Sequence, residues 1–313
     1  MQPIKLQFEN SMLSIIICSK DSELSADFTE NVKKTVGVEY ELVLIDNSDN
    51  RYSIFSAYNE GVRKSKYPCL CFVHDDVIFH SNGWGKNVIS HLNNLNTGII
   101  GLAGGDMAGK VPSYWYALNR SSNLIQSDWT GKQPTHHLFD PEGYDKLSRS
   151  VIILDGVFLC ARKNLFEKKQ FDESIGGFHG YDIDICLQSV FSGYHNYVIY
   201  DVLLEHLSMG NANKSYYENL MKVHEKWNEF LPVFEHSIPE EFKKKMTLKL
   251  EEHKLKRLRK KLIRAGFPIK FVNETINGYI EKIGSKKMKY LIFLQPIHLY
   301  LIKFTSIIRK KQQ

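Results

Sequence analysis

An apolar run, Cys69-Leu70-Cys71-Phe72-Val73, is bounded upstream by Pro68 and ends in His74-Asp75-Asp76. It reads as a buried strand. Carboxylates that end such a strand belong at a sheet edge, where water or a cation compensates their charge. In an open α/β sheet, ligands bind beyond the carboxyl ends of the strands. Two acids there suit a hard divalent cation that bridges phosphate oxygens. An isolated pair would be read as a solvated Asp-Asp turn. Other polar strand ends in the chain argue against that reading.

The elements that must position these acids follow an alternating pattern. Residues 12–18, 40–45 and 97–105 read as further strands. Helices are expected from about residue 23 to 36, around Phe55, Tyr58, Asn59 and Val62, and from 84 to 95. This βαβα order predicts an α/β fold with a doubly wound, mostly parallel sheet. Ser19-Lys20-Asp21, Asp46-Asn47-Ser48 and Asp75-Asp76 then end neighbouring strands on one edge. A carboxylate at the end of the second strand can accept from a ribose hydroxyl or a base N–H. The first turn, Cys18 to Ser22, has no Gly-x-Gly-x-x-Gly, which argues against a dinucleotide oxidoreductase.

Residues 106–150 break the rhythm with aromatics and turn formers (Tyr114, Trp115, Tyr116, Trp129, Pro134, Pro141). They fit a long functional loop or a structural excursion. Val151 to Leu154 then leads through Asp155-Gly156 to a second apolar run, 157–161. A helix is expected from about 181 to 191. Asp182 and Asp184 fall near its start, where carboxylates favour the free N–H groups and the positive end of the dipole. Capping accounts for one of them. We assign Asp182 to chemistry and leave Asp184 to local structure. His206, after a late strand at 197–200, is read either as a metal ligand or as a structural histidine.

From about residue 213 the pattern is helical, so the expected domains are a body, 1–212, and a basic helical extension, 213–313. Residues 241–313 carry 20 Lys and Arg against 5 Asp and Glu, while the whole chain has a net charge of +6. The body is therefore mildly acidic and the extension strongly basic. An apolar stretch at 288–308, flanked by Lys286-Lys287 and Arg309-Lys310-Lys311, suits a helix lying on an anionic bilayer, or one packed against protein. The run Lys254 to Lys261 lacks interleaved aromatics, so nucleic acid is not expected as a partner. Five cysteines without metal spacing read as reduced core residues. With no leader and no spanning helix expected, the location expected is cytoplasmic, peripheral at most on the inner face of the membrane.

In order along the chain stand Ser14-Ile-Ile-Ile-Cys-Ser19, Leu44-Ile-Asp-Asn-Ser48, Ala57-Tyr-Asn-Glu-Gly61, Phe72-Val-His-Asp-Asp-Val77, Leu154-Asp-Gly-Val-Phe158, Gly180-Tyr-Asp-Ile-Asp-Ile-Cys-Leu187 and Glu205-His206. The set resembles a family 2 type glycosyltransferase over residues 12–210. The resemblance implies the GT-A fold and inverting transfer from a nucleotide-sugar donor, by expectation a UDP-sugar. It implies that Ser19, Asp46, Asn47, Asn59 and Asp75 bind the donor, with Asp46 on the base or ribose. Asp76 and His206 would hold Mn²⁺ or Mg²⁺, and Asp182 would be the general base. The sequence departs from the usual pattern in Tyr181-Asp182, where an acid usually precedes the base, and in His74-Asp75-Asp76-Val77, where no acid follows Asp76.

The chemistry is coherent. A cation stabilises a departing diphosphate, and a carboxylate takes the proton of the acceptor hydroxyl. A retaining glycosidase would need two carboxylates astride the sugar and would leave the nucleotide-type strand ends unexplained. The expected acceptor is a glycan or a lipid-linked hydroxyl, in bacterial surface polysaccharide or glycoconjugate synthesis. The rival class is a non-catalytic transferase-like module that docks to membranes or partner enzymes.

Overall fold

The computed structural model describes residues 12–113, 119–128, 130, 135–139, 147–208, 210, 212–285 and 287–288. The chain divides into two compact units. The first takes the described residues within Met1–Ala108, Tyr114–Asn211 and Val233–Glu235. The second takes those within Gly109–Ser113, Ala212–Pro232 and His236–Gln313.

The first unit begins with β1 (Met12–Ser19), α1 (Ala26–Thr35), β2 (Glu39–Asp46), α2 (Ile54–Lys64), β3 (Cys69–Val73), β4 (Val77–Phe79) and α3 (Trp84–Leu92). It continues through β5 (Thr97–Gly101), β6 (Ala103–Gly105), β7 (Met107–Ala108), β8 (Arg120–Gln126), β9 (His136–Phe139), β10 (Ser148–Val151) and β11 (Ile153–Leu154). Then come β12 (Phe158–Arg162), α4 (Lys163–Lys168), α5 (Tyr181–Phe191), β13 (His195–Ile199) and β14 (Leu204–His206). The second unit contributes α6 (Lys214–Lys226), after which the chain returns to the first for β15 (Val233–Phe234), a short partner of β7. It ends in α7 (Glu240–Arg264) and α8 (Ile269–Ile283) of the second unit.

Seven strands form the main sheet in the order β10-β13-β5-β12-β3-β1-β2. β1, β2, β3, β5 and β13 run parallel, while β12 and β10 are antiparallel to their neighbours. All five residues of β3 are buried, as expected of a strand covered on both faces. Alternate side chains serve opposite layers. On one side Trp84 stacks on Phe79, ring centroids 4.1 Å apart, with Phe158 edge-on. On the other, Tyr58, Phe72, Phe166 and Phe171 meet at 4.9–5.5 Å. Such aromatic pairs each add about 0.5–1.5 kcal/mol beyond their buried area. Ser25 and Ser53 cap α1 and α2 by accepting from Phe28 and Ser56 N–H.

A second sheet, β11-β6-β8-β14-β4 with β9 on β8, stands beside the first. Short links carry the chain from the first sheet to the second. Leu102 separates β5 from β6, and His74-Asp75-Asp76 separates β3 from β4. The acidic residues thus occupy a junction between sheets.

The described part of 106–150 is not a long loop: it supplies β8 and β9 to the second sheet. Periodicity misses β8 because three of its four buried residues are small or polar. Ser121, Ser122 and Asn123 lie inside, and Asn123 Nδ2 donates to the carbonyls of Tyr200 and Val202. The aromatics and prolines singled out in that stretch lie outside the described residues.

In the second unit α7 and α8 pack together, burying Leu255, Leu258, Leu262, Val272, Ile276 and Ile280. Glu251, 2% exposed, accepts from the backbone N–H groups of Lys110 and Val111 at 2.6 and 3.0 Å. Burial pushes its carboxyl up against the lowering pull of Lys254 and these bonds. No described helix is long and apolar enough to cross a membrane, and of the 288–308 stretch only Met288 is described.

Helix α2 comes close to the sheet at Gly61, where a Cβ would lie 2.3 Å from Ile16 Cγ2 of β1. Gly61→Ala is expected to cost about 1–3 kcal/mol through overpacking, read as a lower urea midpoint with an unchanged slope.

Candidate active site

The parallel register sets Ser19 opposite Asp46. The Ser19 hydroxyl donates to Asp75 Oδ2, so all three polar strand ends meet at one edge. Asp46 is half-exposed, and the Ser48 N–H that donates to its Oδ1 at 2.9 Å holds the carboxyl below its usual range. Asn47 lies at the same edge but is 1% exposed. It closes the following turn, with Nδ2 donating to Tyr52 O and Oδ1 accepting from Tyr52 N–H. Asn59 is buried, and its whole amide is bonded inside the fold. It donates to Phe171 O and Glu173 Oε1 and accepts from Phe171 N–H. Its side chain therefore fastens the 171–173 segment to α2, a positional role that the motif alone does not reveal.

The junction gathers His74, Asp76 and His206. β14 pairs with β4 so that His206 faces Val77, the residue after Asp76. His206 Nε2 lies 3.4 Å from Asp76 Oδ1 and 3.4 Å from His74 Nδ1, and His74 Nδ1 lies 3.8 Å from Asp76 Oδ1. A circle through these three atoms has a radius of about 2 Å, the bond length of first-row cations to imidazole and carboxylate.

Neighbouring groups decide which ring nitrogens carry protons. Gln126 uses its Nε2 to donate to the carbonyls of His206 and Ser208, which turns its Oε1 to accept from His206 Nδ1–H at 3.2 Å. The Nε2 lone pair of His206 is thereby left facing Asp76. Burial would raise the Asp76 carboxyl, but when His206 is protonated at both nitrogens its hydrogen bond and charge, with Ser208 and His74, hold it well below the usual range. Burial, and then the charge of His206, push His74 below its ordinary value. Two imidazoles and a carboxylate aimed at one point form a ligand set for a divalent cation. Asp76 and His206 were expected here from the sequence and His74 was not. The available signal was its spacing of two from Asp76, which places both on one side of an extended segment.

The third cluster lies at the start of α5, which opens after Gly180 in the left-handed region (φ 81°). Asp182 is partly exposed and accepts from Ile183 N–H at 2.9 Å. Burial and the charge of Asp155 push its carboxyl up to about 7, against the lowering pull of backbone N–H groups including that of Gly156. Asp155 was quoted in the motif set without a role, and the structure makes it the second carboxylate of this cluster. Asp184 is fully buried and accepts from Gln188 Nε2, which agrees with leaving it to local structure. Tyr181 places its hydroxyl 3.0 Å from Gly156 O and 3.2 Å from His74 Nε2.

A parallel-cored sheet with acidic strand ends, joined to a second sheet through a cation-type junction, defines a glycosyltransferase with the GT-A fold. The chain belongs to the glycosyltransferase-like family, whose model matches residues 14–226. A protein from Fuscovulum blasticum, "ATP synthase subunits region ORF 6", is 26% identical over 201 residues, covering 61% of this chain and 73% of the relative. Among solved structures, GalNAc-T7 with UDP, GalNAc and Mn²⁺ superposes with a TM-score of 0.50 at 14% identity. That match covers 90% of this chain, which spans 57% of the other's length. S. aureus TarS gives 0.46 at 12% identity, covering 77% of this chain and 43% of TarS.

The Asp182 carboxyl carries a pH signature. Its pKa rises from 3.8 unfolded to about 7 folded, so its contribution to stability is full below about 3.8 and is lost as the pH rises through about 7. Carbon-13 NMR of the Asp182 carboxyl should titrate near 7, and Asp155→Asn should move the midpoint to lower pH by removing a like charge. An unmoved midpoint would remove Asp155 as a cause.

Proposed function

We propose that the protein transfers a sugar, with inversion at the anomeric carbon, from a nucleoside-diphosphate sugar to a hydroxyl of a glycan or lipid-linked acceptor. The observation that carries the reading is Asp182, a carboxylate tuned to about 7 beside the His74–Asp76–His206 set. Asp46 and the Ser19–Asp75 pair are assigned to the nucleoside end of the donor, and His74, Asp76 and His206 to the cation on its diphosphate. A Mn²⁺ or Mg²⁺ ion held there would neutralise the charge that develops on the leaving diphosphate. The UDP and Mn²⁺ of GalNAc-T7 support uridine as the first nucleotide to test and Mn²⁺ as the first cation.

Each remaining role falls to a side chain. Asp182 accepts the acceptor's hydroxyl proton as the new bond forms, and a base near 7 is matched to that task at neutral pH. Asp155 keeps that base from being too weak by raising its proton affinity. One base acting from the face opposite the diphosphate inverts the sugar carbon.

Asp182→Asn should lower kcat by about 10²- to 10⁴-fold with donor affinity retained. The wild-type rate should rise with pH through about 7. Persistence of full turnover in Asp182→Asn would return the chain to the non-catalytic, transferase-like class. A chelator should abolish turnover, and restoration by Mn²⁺ or Mg²⁺ separates the two ions.

We place the acceptor in bacterial surface polysaccharide or glycoconjugate synthesis, at the cytoplasmic face of a membrane. Support comes from α7, which exposes Lys249, Lys256, Arg257, Lys260 and Arg264. Such a face gains about 1 kcal/mol per basic residue at an anionic surface. Charge reversal at Lys256, Arg257 and Lys260 should abolish sedimentation with vesicles containing phosphatidylglycerol at low salt. Equal sedimentation of the variant would remove α7 from membrane contact.

A further inference from the structure

Tyr181 stands where an acid usually precedes the base, and it has a definable task. Its hydroxyl has one proton. The Gly156 carbonyl has none, so at 3.0 Å the tyrosine must donate to it. The hydroxyl oxygen can then only accept from His74 Nε2, 3.2 Å away, which requires that nitrogen to carry the ring proton. The Nδ1 of His74 is left as a lone pair, and it faces His206 Nε2 and Asp76 Oδ1.

Space for this arrangement depends on Gly156. A Cβ there would lie 2.2 Å from the Tyr181 hydroxyl oxygen. The ring is otherwise fixed edge-on to Tyr58 and Phe55, at 5.4 and 6.4 Å between centroids, and the Tyr58 hydroxyl is a further neighbour of its oxygen.

We propose that Tyr181 is a positioning residue for the cation site: through its hydroxyl it fixes His74 in the Nε2–H tautomer and so presents Nδ1 as a ligand. The inference rests on the cation reading above for its consequence, while the tautomer itself can be read in the metal-free protein. Because Gly156 also donates its N–H to Asp182, one glycine supports both the cation ligand and the proposed base. Outer-shell partners of ligating histidines are worth 10- to 100-fold in cation affinity.

Two measurements on the full chain test it. Nitrogen-15 NMR of metal-free, histidine-labelled protein should show His74 protonated at Nε2. Tyr181→Phe keeps the ring and its contacts, and should abolish that tautomer preference. Gly156→Ala, which displaces the hydroxyl without removing it, should do the same. In parallel, Mn²⁺ titration followed by electron paramagnetic resonance should give about 10-fold weaker binding in Tyr181→Phe than in wild type. His74→Ala should be weaker too, and the double variant no weaker than His74→Ala alone, since both changes remove one ligand. An unchanged tautomer in Tyr181→Phe, unchanged Mn²⁺ affinity, or additive losses in the double variant would each overturn the proposal. A wild-type protein that binds no Mn²⁺ or Mg²⁺ while His74 shows the expected tautomer would instead overturn the cation reading and leave the Tyr181–His74 bond standing.

Discussion

Lone pairs on two imidazoles and a carboxylate oxygen, each within 3.8 Å of the others, repel unless something positive lies among them. Holding them there takes structure on every side. β14 must pair with β4 in the register that brings His206 to Val77. β8 must lie beside β14 so that Gln126 reaches the His206 ring. α5 must begin where Tyr181 can reach both Gly156 and His74. The second sheet is thus the frame of this site. The first sheet supplies the rigidity, with a covered β3 and aromatic layers on both faces.

Much of the first sheet was legible in the chain. β3 is an uninterrupted apolar run and β1 and β2 are mostly apolar, and their polar ends converge because parallel strands share an edge. Asp76 follows from a carboxylate at such an end, His206 from a histidine after a late strand, and Asp182 from a carboxylate at the start of a helix. What escaped reading depends on partners far away in sequence. His74 gains meaning only from His206, 132 residues on, and Tyr181 only from Gly156 and His74. β8 escaped because three of its four buried residues are Ser-Ser-Asn, and the hydrogen bonds of Asn123 leave no trace in a hydropathy pattern. Asn59 looks like a ligand group in a motif, yet its amide is used up by Phe171 and Glu173.

The two carboxylates at α5 illustrate how environment assigns roles to identical groups. Asp184 is wholly buried and bonded to Gln188, so it has no free face. Asp182, two residues earlier, keeps an exposed side, and the charge of Asp155 keeps its proton affinity high. An N-terminal helical position alone would favour the ionised form of both. Burial and a like charge outweigh it for Asp182.

The course of the chain between the two units bears on how such a protein can change over time. Among the described residues it leaves the first unit after Ala108, is back in it by Asn119, has left again by Ala212, comes back for Val233–Glu235 and departs once more at His236. The visiting segment 109–113 is tied down within the second unit by Glu251, on a helix that begins more than a hundred residues later. A helical module acquired by simple fusion would be joined once, at one end. This one is threaded like a lacing, so exchange of modules by recombination at a single junction would leave the buried carboxylate of Glu251 facing a foreign loop.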